Sequence, residues 1–244
     1  MVKFQNAFLK FSWLVLLTLV IITSCGTKPT GFVHTETISV NEQVRENQEL
    51  DFMISPYREE LEAEMSKVIS YAPKSIERKK PEGELGNLVT DLTLDYLKKH
   101  KLVSEKFPQV CIMNHFGLRS PIYQGNVTVE SIFKLMPFDN SIVVLKVGLS
   151  TIEKMVNYIR TSGGEPISGI TITARDFELW QNNLPVDTIQ LVSTNYLVGG
   201  GDQMTFFEDN YEKEDLGVLL RDILIEMIGE KDTLVGKIEG RIML

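Results

Sequence analysis

Apolar and polar positions alternate along this chain with two different periods, and the switches between them outline its elements. Leu85, Leu88, Val89, Leu92 and Tyr96 recur at helical spacing and predict an amphipathic helix reaching about His100. Gln109 to Met113 is a short apolar run that reads as a buried strand. Gly125-Asn126 predicts a turn, Thr128 a helix N-cap with Glu130 in the first turn, and Ser141 to Val147 a further strand. Ser150-Thr151-Ile152-Glu153 has the spacing of a capping box, with Ile152, Met155, Val156 and Ile159 as the inner stripe up to Gly163-Gly164. Ile170 to Ala174 and Thr188 to Ser193 read as strands. A last long helix is expected to carry Leu216, Leu219, Leu220, Ile223, Leu224 and Met227, and a strand to follow around Lys237 to Met243. Asp51 to about Met65 suits a partly exposed charged helix, Val68 to Tyr71 a short strand, and Lys79 to Glu84 a loop. No internal repeat interrupts this order, so the pattern predicts one α+β domain over 51–244 and leaves strand order open.

The first residues follow another logic. Met1 to Ser24 has the form of an export signal, with Lys3 and Lys10 ahead of and beside an apolar core from Phe11 to Ile22 and no acidic residue. That core is too short for a comfortable membrane span. Ile22-Thr23-Ser24-Cys25 resembles a bacterial lipobox, which implies lipidation of Cys25 and a polar tether over 25–50. The chain is therefore expected on a membrane, facing the periplasm or at the cell surface. Cleavage would remove two lysines from a chain whose formal charge is already −8. Such an acidic balance argues against a nucleic-acid polymer as partner, because binding a phosphate backbone needs clustered Lys and Arg. Cys111 would then be the remaining thiol, in the apolar run Val110-Cys111-Ile112-Met113, where a buried structural role is expected.

The candidate chemistry lies between Asn114 and Asn140. Asn114 and Arg119 share a loop with Gly117 between them; an amide both donates and accepts, and a guanidinium offers a planar fork for phosphate or carboxylate oxygens. Phe138 follows Pro137, which fixes the local backbone. An anion-binding arginine beside an aromatic face suits a nucleotide.

The patterns Asn114-x-x-Gly117-Leu118-Arg119, Gly125-x-Val127-Thr128 and Pro137-Phe138-x-Asn140 resemble the C-terminal, substrate-binding domain of the 5'-nucleotidase family. Thr194-Asn195-Tyr196-Leu197-Val198-Gly199-Gly200-Gly201-Asp202 is similar to that family's glycine-rich loop, and Gly86-Asn87-Leu88 to the start of its early helix. The matches keep the family's order over about residues 60 to 244. The resemblance implies a sandwich with helices outside two layers of mixed sheet. It also implies that Phe138 and Tyr196 enclose a base, that Asp202 accepts from ribose hydroxyls with Gly200 and Gly201 allowing close approach, and that Arg119 and Asn114 meet a phosphate. One departure is that the family's early arginine falls on Lys79 by spacing, with Arg78 one position ahead; His115 and Phe116 also replace small residues.

Complete enzymes of that family hydrolyse phosphate esters at a two-metal site in a separate metallophosphatase domain. The histidines here, His34, His100 and His115, show no metal-ligand spacing, and neither a nucleophile elbow nor a Walker-type phosphate loop is found. No catalytic residue, metal or cofactor is therefore expected on this chain. It is expected to be the nucleotide-recognition half of a split 5'-nucleotidase, with a separately encoded metallophosphatase supplying divalent metals. The alternatives are a membrane-tethered nucleotide- or nucleoside-binding lipoprotein without a catalytic role, and a degenerate interaction module.

Overall fold

The computed structural model of the chain describes residues 47–181 and 183–244, so the export signal, Cys25 and the tether up to residue 46 lie outside the described residues. Contact clustering sets Phe52–Leu244 apart as one compact unit. Its fold is α+β, with helices on mixed sheets.

Helix α1 (Gln48–Met65) buries none of its residues, in keeping with its charged sequence. Strand β1 (Val68–Ala72) pairs antiparallel with β3 (Gly125–Thr128) in a small ribbon. Helix α2 (Glu84–Lys99) follows the predicted stripe and buries Leu85, Val89 and Leu92. Strand β2 (Gln109–Ile112), helix α3 (Val129–Leu135), strand β4 (Ser141–Val147) and helix α4 (Leu149–Ser162) come next. Then follow β5 (Ile167–Ser168), β6 (Ile170–Thr173), β7 (Phe177–Leu179), β8 (Ile189–Thr194), the single-turn α5 (Asn195–Val198), β9 (Glu212–Leu219), α6 (Leu220–Gly229) and β10 (Ile242–Met243).

The main sheet has five strands in the order β5-β2-β8-β4-β9, with β2 parallel to β8 and the other pairs antiparallel. Every residue of β2 and β8 is buried. Period-two alternation therefore sends successive side chains into two different cores. Cys111, Ile142, Val144 and Val192 pack with α2, α3 and α6 on one face. Val110, Ile112, Val143, Leu145, Leu191 and Ile189 pack with α4 and the three-stranded sheet β10-β6-β7 on the other. Burial pushes the Cys111 thiol up, which leaves it an inert core side chain.

Four local expectations are corrected. Leu216 and Leu219 are in strand β9, and only Leu220 onward is helical. Their three-residue spacing imitates a helix, but Asp215, Glu214 and Lys213 pair with Val143, Val144 and Leu145 at the sheet edge, where one-sided pairing leaves the side chains largely in water and erases the alternation. The Gly125-Asn126 turn is instead the start of β3, with Gly125 at φ 118° opposite Ala72. Helix α4 begins at Leu149 and is capped by Gly148 without a side-chain bond; Tyr211 occupies the space a Cβ at 148 would need, and the Thr151 hydroxyl donates to the Asp209 carbonyl rather than to the helix end. Only Ile242–Met243 of the final stretch is strand, parallel to Ile172 and Thr173. By contrast Thr128 caps α3 with a full capping box to Ser131.

The closing segment is tied down by a buried carboxylate. Glu82 Oε1 accepts from Asn87 Nδ2 at 2.6 Å and from the Glu239 N–H at 2.8 Å, while Oε2 accepts from the Arg241 N–H at 2.8 Å. Asn87 also donates to the Lys237 carbonyl, so the Gly86-Asn87-Leu88 motif fastens the C-terminal segment to α2. Burial opposes the charge on Glu82, but these bonds outweigh it and hold its pKa below the ordinary 4.5. Each buried donor left without its acceptor costs about 1–3 kcal/mol, so Glu82→Ala is expected to lower the unfolding free energy by about 3 kcal/mol or more in urea titration. A carboxyl with a lowered folded pKa contributes stability above its unfolded value and loses it as the pH falls through the folded one. The wild-type chain should therefore lose stability as the pH drops from 4.5 downward, and Glu82→Gln should flatten that limb.

Candidate functional site

Three strand ends of the main sheet converge at one edge. Strands β2 and β8 run parallel and β4 runs against them, so the residues after β2, those after β8 and those before β4 emerge together. These are the loop with Asn114 and Arg119, the α5 segment with Tyr196, and the Phe138–Asn140 approach to β4. A cavity of about 240 Å³ lies between them, lined by Asn114, Phe116, Gly117, Arg119, Phe138, Asn140, Tyr196 and Asp202.

Local chemistry explains how each group is presented. A Cβ on Gly117 would lie 2.2 Å from Asn114 Oδ1, so the glycine makes room for the amide. Asn114 Nδ2 then donates to Asp202 Oδ2 at 2.7 Å, and the Tyr196 hydroxyl donates to Asp202 Oδ1 at 2.9 Å. That bond, with the charge of Asp202, raises the Tyr196 pKa above 10.0 and keeps the phenol protonated. Asp202 sits at φ 51°, a left-handed conformation that aspartate tolerates better than most residues. Its backbone carbonyl accepts from the Tyr158 hydroxyl at 2.8 Å.

The aromatic faces are open. Phe138 is 39%, Tyr196 49% and Phe116 61% exposed, in a protein whose other large apolar side chains mostly fill two cores. The guanidinium of Arg119 lies 5.8 Å from the Phe138 ring centroid, and its contact with the Phe116 carbonyl is long at 3.5 Å, so most of its donors face the cavity side unengaged.

Gly200 and Gly201 do not line the cavity. Gly200 turns the chain at φ 91°, and a Cβ on Gly201 would meet the Tyr196 ring at 2.6 Å, so Gly201 makes room for the tyrosine. The basic residues near 79 also resolve. Arg78 and Lys80 flank Lys79 and both reach Phe116, at 5.5 and 5.8 Å from its ring centroid. Arg78 donates to the Leu118 carbonyl at 3.0 Å and to the His115 carbonyl at 3.4 Å. Arg78 therefore lies behind the cavity-lining loop, against Phe116 and the His115 and Leu118 carbonyls. Sequence reasoning missed Tyr158 and Glu165, which act on backbone groups from a neighbouring element and leave no motif.

The cavity lining thus includes one guanidinium, Arg119, and one carboxylate, Asp202. Among the described residues no group of three or more His, Cys, Asp or Glu side chains could hold a metal ion, so this donor set does not fit a divalent metal centre.

Residues 65–178 match the family model of the 5'-nucleotidase C-terminal domain. The match takes in Asn114 to Asn140 and ends before Tyr196 and Asp202. The trifunctional nucleotide phosphoesterase protein YfkN of Bacillus subtilis (strain 168) is 24% identical over 246 residues, covering 89% of this chain and 16% of that protein. A 5'-nucleotidase of Rattus norvegicus is 25% identical over 241 residues, covering 84% of this chain and 42% of the relative. Among solved structures, the 5'-nucleotidase precursor of Thermus thermophilus has the same fold, with a TM-score of 0.64 at 23% identity over 79% of this chain and 42% of that one. The chain thus spans less than half the length of these relatives.

His115 reports on its basic neighbours. Burial, then Arg78 and Lys80, push its pKa below 6.5, against an opposing pull from Glu165. NMR titration should give a midpoint below 6.5, moving upward in Arg78→Gln. A base whose folded pKa is depressed binds fewer protons folded than unfolded, so this group costs stability as the pH falls from 6.5 through its folded value.

Proposed function

We propose that this chain is a domain of the 5'-nucleotidase C-terminal type that recognises a nucleoside monophosphate or related nucleotide. The observation that supports this best is the meeting, at one sheet edge, of two open aromatic rings, an unengaged guanidinium and a carboxylate. In this reading Phe138 and Tyr196 take the base between them, since stacking suits any base. Asp202 keeps lone pairs beyond the two it gives to Asn114 and Tyr196, and these accept from ribose hydroxyls. Arg119, with Asn114, takes the phosphate; Asn140 borders the base. Arg78 adds charge behind the loop.

Catalysis is assigned to a separately encoded metallophosphatase, which would bring the divalent metals that activate water and stabilise an in-line displacement. This chain would hold the substrate against that site, because proximity rather than covalent linkage is what the reaction requires. The activity of the pair would be phosphate-ester hydrolysis in nucleotide catabolism. Lipidated Cys25 would keep it at a membrane, facing the periplasm or the cell exterior.

Calorimetry with AMP tests recognition. Stacking on an aromatic ring contributes about 1–3 kcal/mol per base, so Phe138→Ala should weaken binding by about 5- to 100-fold. Arg119→Ala should cost about 1.5–3 kcal/mol against AMP and little against adenosine. Absence of AMP binding by the wild-type chain would refute the reading. Phosphate release from AMP with Mn²⁺ should occur only after adding the metallophosphatase encoded nearest the gene; binding without release would leave a tethered nucleotide-binding lipoprotein. Separately, Cys25→Ser should shift the chain from the membrane to the soluble fraction, and equal partition of both forms would exclude lipidation as the anchor.

A further inference from the structure

We propose that Glu165 is a positioning residue for the anion end of the cavity, acting through the backbone of the loop that carries Asn114 and Arg119. This deepens the nucleotide reading above and rests on it. Strands β2 and β5 pair antiparallel, with Cys111 opposite Ser168 and Ile112 opposite Ile167. The ladder continues for one more bond, from the Met113 N–H to the Pro166 carbonyl at 3.0 Å. At the next position along the loop edge the backbone gives out, and a side chain takes over: Glu165 Oε2 accepts from the His115 N–H at 2.6 Å. The carboxylate stands where a further strand carbonyl would, and carries order past the end of the sheet into the binding loop.

The rest of the carboxylate is held just as firmly. Glu165 is buried, and its Oε1 accepts from Lys80 Nζ at 3.2 Å, while Lys80 also donates to the Ser162 carbonyl at 2.7 Å. A Cβ on Gly164 would lie 2.2 Å from the Pro81 carbonyl oxygen, so this segment lies directly on the loop bearing Arg78 and Lys80. Arg78 in turn binds the His115 and Leu118 carbonyls. His115 is thereby held at both backbone groups, its N–H by Glu165 and its carbonyl by Arg78. With that residue fixed, Asn114 before it and Arg119 after it have defined directions.

Asp202 is fastened from helix α4, which ends just ahead of Glu165, through the Tyr158 hydroxyl on the Asp202 carbonyl. Phe138 sits on a different element, ahead of β4, and makes no hydrogen bond to Glu165. Loss of Glu165 should therefore weaken phosphate recognition and leave base stacking. The ring stacks on adenosine and AMP alike, whereas Arg119 meets only the phosphate, so the ratio of the two affinities reads the loop's position.

The test is calorimetry of the full chain with AMP and with adenosine, for wild type, E165A, E165Q and E165D, with thermal midpoints recorded alongside. E165A removes the acceptor and is expected to weaken AMP about tenfold and adenosine less than about threefold, the size of one charge-assisted hydrogen bond. E165Q keeps an oxygen that can accept from His115, so it should restore the AMP-to-adenosine ratio to within about threefold of wild type. E165D, one methylene too short to reach, should behave like E165A, and supplies the same comparison if E165A does not fold. An unchanged ratio in E165A and E165D, whether both affinities fall or neither does, would overturn the proposal, as would a ratio in E165Q as low as in E165A. A wild-type chain that binds neither compound would remove the nucleotide reading itself, and this inference with it.

Discussion

Burial of the three central strands β2, β8 and β4 on both faces is the constraint on which the rest of this molecule depends. A sheet covered on one side can place a ligand on its open face. Here Cys111, Ile142, Val144 and Val192 are committed to one core and Val110, Ile112, Val143, Leu145 and Leu191 to another, so no face is left. The strand ends are what remain. Because β2 and β8 are parallel and β4 opposes them, three chain segments leave the same edge, and the polar groups they carry are brought together without any of them entering a core. Position in the ladder, not sequence proximity, makes neighbours of Asn114 and Asp202, 88 residues apart.

A site built on strand ends has a weakness, since the hydrogen-bond ladder stops where the site begins. The chain compensates with side chains that imitate backbone or bind it. Glu165 accepts from His115, Arg78 donates to His115 and Leu118, and Tyr158 donates to Asp202. The same device fixes the C-terminal segment, where Glu82 accepts backbone N–H groups of Glu239 and Arg241. In both places one buried carboxylate replaces a stretch of regular structure. Its charge makes each bond stronger than a neutral one, and burial makes the loss of any donor costly.

What could be read from the sequence follows from this architecture. Helices α2 and α4, with one buried and one exposed face, wrote a clear period, and strands β4 and β8, buried on both faces, read as short runs rich in β-branched residues, so these elements were legible within a residue or two. The aromatic and charged residues of the cavity were legible because Phe138, Tyr196 and Arg119 lie within short motifs rich in Gly and Pro, where local backbone demands restrict the residues allowed. Strand β9 was not, because an edge strand with Glu212, Lys213, Glu214 and Asp215 in water has no apolar alternation to show. That Gly201 also makes room for the ring of Tyr196 could not be read, because the contact depends on how the loop folds back on itself. Glu165 and Tyr158 were invisible for a deeper reason: a side chain that binds another segment's backbone places no demand on the identity of its partner, so no pair of residue types marks the contact.

The polarity of the cavity then limits what it can accept. Its lining carries the guanidinium of Arg119 and the carboxylate of Asp202. An extended polyanion would bring charge against Asp202, and an uncharged base alone would leave Arg119 without a partner. A ligand with one anionic end, hydroxyl donors some distance away and a flat ring satisfies all three groups at once, which is the chemistry of a mononucleotide. Asp202 is already engaged by Asn114 and Tyr196 before any ligand arrives. Its orientation is therefore fixed in advance, and binding does not have to order it. Preorganisation of this kind reduces the entropic cost of recognition.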